Sequence, residues 1–294
     1  MVRVAAAFRE FRGNLEITGL QESVVAARHE KVRAAVSRGL TVRESFLTGS
    51  YRRHTLIGPL RDADVDIVIV LAREYRRLGP VGVLDLVKDT LREQYTSSKI
   101  SRNGQAVTIT FSDFAVDVVP AFPLWWDSEI FDICNSGGGS WIRTSPQKHI
   151  ALSSKINKRA DGLVVPAVKM LKAWNRSAGR PLRSFHLEAL AWKVLDPGWR
   201  ADWFGTAVGM GSDPENLARF FAEAPGRLRR KLPDPARDEG DLGGYLTDLA
   251  REDAISRLRT ASSRCERAGQ LAAGGDAAGA VVVYRKVFGD VFPC

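Results

Sequence analysis

The chain has 294 residues, of which 45% are hydrophobic and 26% charged, as in an ordinary globular protein. Its formal net charge of +9 favours polyanionic partners, and both nucleoside triphosphates and nucleic acids meet that description. No apolar run approaches the ~20 residues that a membrane span requires, and the first residues lack a signal-peptide pattern. With three unclustered cysteines, we expect a reduced protein of the cytoplasm that makes no membrane contact.

The first half of the chain alternates between helical and strand-like hydrophobic patterns. The predicted helices cover 4–38, with a break near Gly13 or Gly19, and 81–95. The predicted strands cover 46–48, 65–72, 106–111 and 114–119. The strand at 65–72 is apolar without alternation, which indicates burial on both of its faces. The last two strands flank Ser112-Asp113, so we expect them to form a hairpin.

A glycine-rich segment at 135–140 follows these strands. It lacks the Lys-Ser/Thr ending of a phosphate-binding P-loop, so we interpret it as a hairpin loop. The side chains of Trp125, Trp126 and Trp141 flank this segment and are expected to be packing residues.

From about residue 161 onward the apolar residues keep helical spacing. The predicted helices cover 163–175, 184–195, 214–223, 248–270 and 275–288. The sequence therefore predicts an α/β half at 1–160, which includes the N-terminal helix, and a helical half at 161–294. A ligand is expected to bind in the cleft between the two halves.

Three aspartates stand where neighbouring strands could bring them together. Asp64 and Asp66 open the apolar strand, and residues i and i+2 of a strand point to the same face. Asp117 interrupts the apolar segment 114–119, where a carboxylate is costly to bury unless it meets a cation. Mg²⁺ prefers a few carboxylates plus phosphates and water over a closed protein cage. The pattern therefore predicts a two-metal phosphoryl-transfer site, completed by Asp117 from a neighbouring strand.

Two alternatives stay open at this point. Asp62 alternates with Asp64, so Asp62 and Asp64 could be the ligands instead of Asp64 and Asp66. We favour the second pair because it directly adjoins the apolar strand, where the geometry is fixed. Asp117 could also face water on a one-sided strand, in which case it needs no cation.

The Gly49-Ser50 pair is a candidate grip for a triphosphate. Glycine lets the backbone approach a ligand closely, and successive N–H groups in a turn can bind anions. The alternative is an ordinary turn, for which Gly-Ser is a common sequence.

The helical half carries further candidates for contacts with the substrate. Lys169 and Lys172 lie three residues apart on one helix, where a lysine could hold outgoing phosphates, or both could form a solvated face. Ser184 opens the next helix, whose N-terminus would suit a phosphate, and Phe185 could stack on a base. Glu188 is expected to be the capping-box partner of Ser184. Alternatively Ser184 only caps that helix and Phe185 only packs.

Six blocks of the sequence together resemble one enzyme family. They are Gly49-Ser50-Tyr51-Arg52-Arg53-His54-Thr55-Leu56-Ile57, Asp64-Val65-Asp66-Ile67-Val68-Ile69, Val116-Asp117-Val118-Val119-Pro120-Ala121, Val168-Lys169-Met170-Leu171-Lys172-Ala173-Trp174-Asn175, Ser184-Phe185-His186-Leu187-Glu188 and Val287-Phe288-Gly289-Asp290-Val291-Phe292-Pro293. The chain thereby resembles the CD-NTases of bacterial anti-phage CBASS operons. These are relatives of cyclic GMP-AMP synthase and oligoadenylate synthase within the polymerase-beta-like nucleotidyltransferase superfamily.

The resemblance implies both a fold and an activity. The fold would be α/β (α+β), with a nucleotidyltransferase palm around a central mixed or antiparallel sheet at 1–160 and a C-terminal helical domain at 161–294. The enzyme would join ribonucleoside triphosphates into a cyclic di- or trinucleotide with release of pyrophosphate. The product would then bind a separate effector protein during phage infection.

The resemblance also implies a role for each candidate residue. Asp64 and Asp66 would hold two Mg²⁺ ions, for which Mn²⁺ can substitute, and Asp117 would hold the ion near the acceptor hydroxyl. These three are the catalytic and metal-binding candidates. The nucleotide-binding candidates are Gly49, Ser50, Lys169, Ser184 and Phe185.

Two other functions are compatible with the same residues. The enzyme could add nucleotides to linear oligonucleotides or to an RNA 3′ end, and its basic charge permits a direct nucleic-acid contact. The sequence does not predict that contact, because it has no continuous basic stretch with interleaved aromatic residues. The chain could also be an inactive nucleotide-binding partner. Three intact aspartates argue against that, since an inactive site has no reason to keep carboxylates in mutual repulsion.

Overall fold

The computed structural model describes residues 2–199, 209–236 and 240–294. The chain forms two compact units, one made of Ile17–Ala151 and the other of Met1–Glu16 together with Leu152–Cys294. The sequence analysis placed the N-terminal helix in the catalytic half, whereas the structure groups it with the helical half. The functional division into 1–160 and 161–294 stays a prediction.

The described residues form helices and strands in the following order. The helices are α1 Val2–Leu15, α2 Gly19–Ser37, α3 Gly49–Arg52, α4 Gly79–Gln94, α5 Pro146–Arg159, α6 Val164–Ser177, α7 Ser184–Leu195, α8 Asp213–Leu228, α9 Asp248–Ala273 and α10 Ala277–Phe288. The strands are β1 Val42–Leu47, β2 Asp64–Leu71, β3 Lys99–Asn103, β4 Ala106–Thr110, β5 Ala115–Pro123, β6 Phe131–Asn135 and β7 Ser140–Thr144.

The elements predicted from hydrophobic periodicity are all present, with shifted ends. The expected break in the first helical segment falls between α1 and α2, where Thr18 caps α2 in a capping box with Gln21. The helices α3 and α5 and the strands β3, β6 and β7 were not predicted. The glycine-rich segment 135–140 is the β6–β7 hairpin loop that the sequence analysis expected.

The unit Ile17–Ala151 is built on a mixed sheet. Its described strands follow the order β1-β2-β5-β4-β3, and β6 pairs with β5 and β7. The pairing of β2 with β5 is parallel, and the other pairings are antiparallel. The predicted hairpin is the β4–β5 pair, so the segment that carries Asp117 lies directly beside β2.

Strand β2 is buried on both faces, which explains why its sequence does not alternate. Ile67 and Ile69 belong to the larger hydrophobic cluster, which also contains residues of α2 and α4. Val68 and Val70 belong to a smaller cluster with Phe131. Each apolar side of the strand is thus covered, and its position in the sheet is fixed by packing on both sides.

An aromatic cluster joins the two ends of the chain within the other unit. The rings of Phe8 and Phe11 lie 5.2 and 5.0 Å from that of Phe292, and Phe11 lies 4.9 Å from Phe288. Arg12 also forms an ion pair with Asp213 of α8. These contacts explain why α1 belongs to the helical unit, and no periodicity within α1 could have predicted partners nearly three hundred residues away.

Two of the three tryptophans that were expected to pack are exposed. Trp141 does pack, with its ring 5.3 Å from that of Phe122. Trp125 is 78% exposed and Trp126 is 53% exposed, so for these two the expectation was wrong. Their rings stack edge to face at 5.2 Å and line a cavity of about 480 Å³ that also touches Leu71, at the end of β2 away from Asp64.

No helix in the described part of the chain is both long enough and apolar enough to cross a membrane.

Candidate active site

The parallel pairing of β2 and β5 brings the predicted aspartates to one face of the sheet. Asp66 and Asp117 are register partners, and Asp64 lies opposite Ala115. Neighbouring strands lie about 4.8 Å apart, and register partners point to the same side. Asp64 shares that side because it is two residues before Asp66. The structure thus places the three carboxylates in the arrangement that the sequence predicted.

Asp62 does not belong to this strand. It ends a short 3-10 turn, Leu60–Asp62, before β2 begins at Asp64. The two-residue repeat of the strand therefore does not extend to its side chain, which is largely exposed and lies 3.9 Å from Arg61. This placement favours Asp64 and Asp66 over the alternative pair.

Asp117 is half-buried and is held from its other side by β4. Thr108 is its register partner on that strand, and the Thr108 hydroxyl donates a hydrogen bond of 2.5 Å to Asp117 Oδ1. Burial raises the pKa of Asp117, the hydrogen bond from Thr108 lowers it, and the charge of Asp64 raises it. The net upward direction is the response of a carboxylate that is partly desolvated beside another carboxylate.

Gly49 lies directly against Asp66. The backbone N–H of Thr48 donates a 2.9 Å hydrogen bond to the carbonyl of Asp66, which fixes the end of β1 to the start of β2. Gly49 has a φ of +62°, and a Cβ added there would overlap the Asp66 carboxylate. Both the backbone conformation and the space therefore require glycine. Ser50 follows within α3, and its carbonyl accepts hydrogen bonds from the N–H groups of Thr55 and Leu56.

The donor set suits a hard divalent cation. The oxygen atoms of Asp64, Asp66 and Asp117 are the ligand type that Mg²⁺ prefers, and Mg²⁺ usually completes its shell with substrate phosphates and water. Among the described residues, no three His, Cys, Asp or Glu side chains stand close enough together to hold a metal ion as they are. The carboxylates alone therefore form an incomplete site, and the Asp66 carboxylate occupies the space that a Cβ on residue 49 would need.

Lys169 is buried in the helical unit, so the alternative of a solvated lysine face was wrong. Its ammonium group donates a 2.5 Å hydrogen bond to Glu16 Oε2, just beyond the end of α1. The Glu16 side chain is 55% exposed, which places this ion pair at the edge of the unit. One of the three N–H groups of the Lys169 ammonium is thus used by a carboxylate oxygen.

Lys172 is also buried, in an ion pair between α6 and α7. Its ammonium group lies 2.5 Å from Glu188 Oε1, and the Glu188 side chain is fully buried. The expected capping box was therefore wrong, because Glu188 faces Lys172 rather than the helix end. Arg183 is the N-cap residue of α7, and Ser184 is its first helical residue.

The start of α7 is fixed by a tyrosine from beyond α8. The Tyr245 hydroxyl accepts a 2.7 Å hydrogen bond from the N–H of Arg183 and lies 3.2 Å from His186 Nδ1. Burial lowers the pKa of His186 to about 4, so its ring is neutral and Nδ1 can accept the tyrosine proton. Ser184 is exposed at this helix start, and Phe185 is half-buried with its ring edge-on to Trp192 at 5.9 Å.

Three contacts at these sites were missed in the sequence analysis: those of Thr108, Glu16 and Tyr245. Thr108 could have been found, because a hairpin centred on Ser112-Asp113 places it opposite Asp117. Nothing in the sequence pointed to Glu16 or Tyr245, whose partners lie far away along the chain.

Comparison with known proteins identifies the family. Residues 2–157 match the Second Messenger Oligonucleotide or Dinucleotide Synthetase domain. The chain belongs to this family. It is therefore a nucleotidyltransferase, and the resemblance to CD-NTases that the sequence indicated is confirmed.

Two relatives align with different shares of the chain. A probable cyclic nucleotide synthase of Bacillus cereus is 25% identical, over 83% of this chain and 81% of that protein. A cyclic AMP-AMP-AMP synthase of Acinetobacter is 30% identical, over 52% of this chain and 46% of that protein.

Solved structures of similar proteins support the fold. CdnC of Escherichia coli with ATP has a TM-score of 0.74 at 19% identity and covers 99% of this chain and 98% of that one. The CD-NTase CdnG of Bradyrhizobium diazoefficiens with GTP has a TM-score of 0.76 at 17% identity and covers 98% of this chain and 95% of that one. At these identities the likeness shows the CD-NTase fold alone, as the sequence analysis expected.

Proposed function

We propose that this chain is a cyclic oligonucleotide synthase, which joins ribonucleoside triphosphates into a cyclic di- or trinucleotide and releases pyrophosphate. The observation that carries this proposal is the placement of Asp66 beside Asp117 with Gly49 against the Asp66 carboxylate. Carboxylates side by side on neighbouring strands support the proposal, because phosphoryl transfer with divalent ions uses such an arrangement. The family description and the names of the relatives support the same reaction class.

Asp64, Asp66 and Asp117 are the residues that would hold two divalent ions, Mg²⁺ or Mn²⁺. When bound, such ions lower the pKa of an attacking hydroxyl and neutralise the charge of a leaving pyrophosphate. In this assignment Asp64 and Asp66 would position the donor triphosphate through the cations that they hold, since carboxylates alone repel phosphates. Asp117 lies on the acceptor side and favours loss of the proton from the acceptor hydroxyl. Each group that stabilises developing charge in such a site typically contributes several kcal/mol.

The remaining candidates bind the nucleotide in this proposal. Gly49 and Ser50 present backbone N–H groups and a hydroxyl to the donor triphosphate. Lys169 and Ser184 contact phosphates, and the Glu16 carboxylate competes with phosphate for the ammonium group of Lys169. Phe185 offers a ring face for base stacking but no hydroxyl for a hydrogen bond.

The biological role that fits this reaction is anti-phage signalling in the cytoplasm, with a separate effector protein that binds the cyclic product. This role rests on the likeness to CD-NTases. The proposed reaction itself needs no nucleic-acid partner.

The deciding experiment is mass spectrometry of the reaction product. Purified protein is incubated with Mg²⁺ or Mn²⁺ and all four ribonucleoside triphosphates, and pyrophosphate release is followed. We expect a product that resists phosphatase, because a ring has no terminal phosphate, and its mass gives the bases and the ring size. A ladder of phosphatase-sensitive oligomers would select the linear transferase instead. Absence of pyrophosphate release under all metal and nucleotide conditions would overturn the proposal.

A further inference from the structure

Asp117 is flanked on both sides within the sheet. Asp66 is its register partner on β2, and Thr108 is its register partner on β4. The three side chains therefore form one row across three strands, on the same face. The Thr108 hydroxyl is bonded to Asp117 Oδ1 at 2.5 Å, from the strand opposite to the one that carries the other aspartates.

We propose that Thr108 is a positioning residue for Asp117: its hydroxyl holds Oδ1 on the β4 side and so leaves Oδ2 turned toward β2. This inference rests on the proposed function, because it concerns the carboxylate assigned to the acceptor side. It adds a residue that neither the sequence motifs nor the likeness to relatives singles out.

The torsion of a carboxylate explains why such a residue is needed. The terminal torsion of aspartate has a broad, nearly two-fold energy profile, so the side chain alone does not fix where its oxygens point. Thr108 is β-branched and has a restricted first torsion, so its hydroxyl is already oriented by the strand. One hydrogen bond to Oδ1 therefore sets the direction of the other oxygen.

A neutral donor suits this position better than a charged one. A lysine or arginine at 108 would neutralise the Asp117 carboxylate and compete with any divalent cation for it. A hydroxyl orients the same oxygen and leaves the negative charge in place. Residues that orient metal ligands in this way commonly change metal affinity or activity by about 10- to 100-fold when they are removed.

The hydroxyl of Thr108 is not what holds β4 in the sheet. Its neighbours Val107 and Ile109 are fully buried in the larger hydrophobic cluster, and β4 pairs with both β3 and β5. Thr108 itself is half-buried. Removal of the hydroxyl is therefore expected to leave the fold intact, so its effect on the site can be measured separately.

The test compares Thr108→Val with Thr108→Ser and with Thr110→Val as the matched control. Thr110 lies on the same strand and face but is exposed and is the register partner of Ala115. The measurements are kcat and KM for nucleotide, the thermal midpoint, and Mn²⁺ binding without nucleotide by electron paramagnetic resonance titration. Thr108→Val is expected to lower kcat and to weaken Mn²⁺ binding, each about tenfold, with KM changed less than about twofold. Thr108→Ser is expected to restore both, and Thr110→Val to resemble the wild type.

The outcomes separate this inference from the proposed function. Wild-type kcat and Mn²⁺ affinity in Thr108→Val, together with inactivity of Asp117→Asn, would refute the role of Thr108 and leave the reaction standing. Retained activity in Asp117→Asn would instead refute the assignment of the site. Should Thr108→Val lower the thermal midpoint, Thr108→Ala provides the same loss of the hydroxyl without the larger side chain. If both deletions are inactive only because they unfold, the hydroxyl is structural and the inference fails.

Discussion

Asp66 and Asp117 are register partners across the parallel pairing of β2 and β5. Two carboxylates on adjacent strands repel each other unless a cation lies between or beside them. Burial, and to a smaller extent the charge of Asp64, raise the pKa of Asp117, so the charged form of this carboxylate is disfavoured where it stands. The fold thus keeps carboxylates close together although their repulsion is unfavourable, and such an arrangement is typical of a functional site.

The first prediction concerns these carboxylates. Asp64→Asn combined with Asp66→Asn, and separately Asp117→Asn, should each lower pyrophosphate release more than a hundredfold. The thermal midpoint should stay the same or rise, because the substitution removes repulsion between like charges. Asp62→Asn is the matched control, since Asp62 precedes β2 in an exposed turn. Loss of activity in Asp62→Asn with an active Asp66→Asn would show that the wrong pair was chosen.

The second prediction concerns Gly49. Gly49→Ala should abolish most activity, because the new Cβ would overlap the Asp66 carboxylate. Gly104→Ala is the matched control: Gly104 has a φ of +60°, close to the +62° of Gly49, but open space around it. Each variant should lose about 1–2 kcal/mol of stability from the left-handed backbone conformation. Gly104→Ala should keep its activity, whereas Gly49→Ala should lose most of it. Equal activity in the two variants would show that the overlap with Asp66 does not matter for the reaction.

The third prediction concerns the Glu16 carboxylate on Lys169. Glu16→Gln should lower the KM for nucleoside triphosphate several-fold, because a neutral amide competes with phosphate for the ammonium group less strongly than a carboxylate does. We expect KM to change and kcat to stay the same, since Glu16 is assigned no part in the chemistry. Glu10→Gln, on the exposed face of α1, is the control and should leave KM unchanged. A KM that stays constant in Glu16→Gln would argue against a phosphate contact at Lys169.

The strands that carry the three aspartates were largely predictable, because short-range sequence patterns indicate them. The apolar run of β2 indicates a strand buried on both faces, the short turn makes β4 and β5 neighbours, and the two-residue repeat fixes the face of Asp64 and Asp66. The parallel pairing that sets Asp117 beside Asp66 was not predicted, because strand order and direction depend on contacts between segments far apart in the chain.

The parts that could not be predicted depend on contacts between distant segments. The ring of Phe8 contacts that of Phe292, and Glu16 forms an ion pair with Lys169. The hydrophobic spacing around each residue predicts its own helix but does not indicate its distant partner. The capping box at Ser184 failed because Arg183, not Ser184, is the N-cap residue of α7. Glu188 is therefore the fifth helical residue, beyond the third position that a capping box uses, and it pairs with Lys172 on another helix.

The fourth prediction concerns His186 and acid. Burial lowers its pKa to about 4, the charge of Asp241 raises it, and that of Arg251 lowers it. The usual value in an unfolded chain is 6.5, so between pH 6.5 and 4 the unfolded state binds more protons and stability rises with pH. Acidification through this range should therefore cost at most about 1.4 kcal/mol of stability for each pH unit from this group, and less near either end of the range.

The measurement for His186 is the free energy of unfolding at several pH values from 4 to 7. His186→Asn keeps an acceptor for the Tyr245 hydroxyl but does not titrate, so its stability should fall less steeply on acidification than that of the wild type. Parallel curves for the two proteins would mean that His186 is not the group responsible.

The fifth prediction concerns the buried ion pair of Lys172 and Glu188, whose side chains are 7% and 0% exposed. Glu188→Gln should cost about 3–5 kcal/mol of stability, because it leaves a buried ammonium group without its counter-charge. The double variant Lys172→Met with Glu188→Leu should recover most of that loss, since replacing both partners removes the desolvation cost together with the attraction.

An exposed ion pair supplies the contrast for this last experiment. Arg257 and Asp253 lie 2.7 Å apart on α9 with side chains 46% and 51% exposed, and Asp253→Asn should cost only about 0.3–0.5 kcal/mol. Denaturant unfolding of the three variants measures all of these values. If Glu188→Gln costs no more than Asp253→Asn, the charge on Lys172 is relieved in another way, and α6 and α7 are joined by packing rather than by this pair.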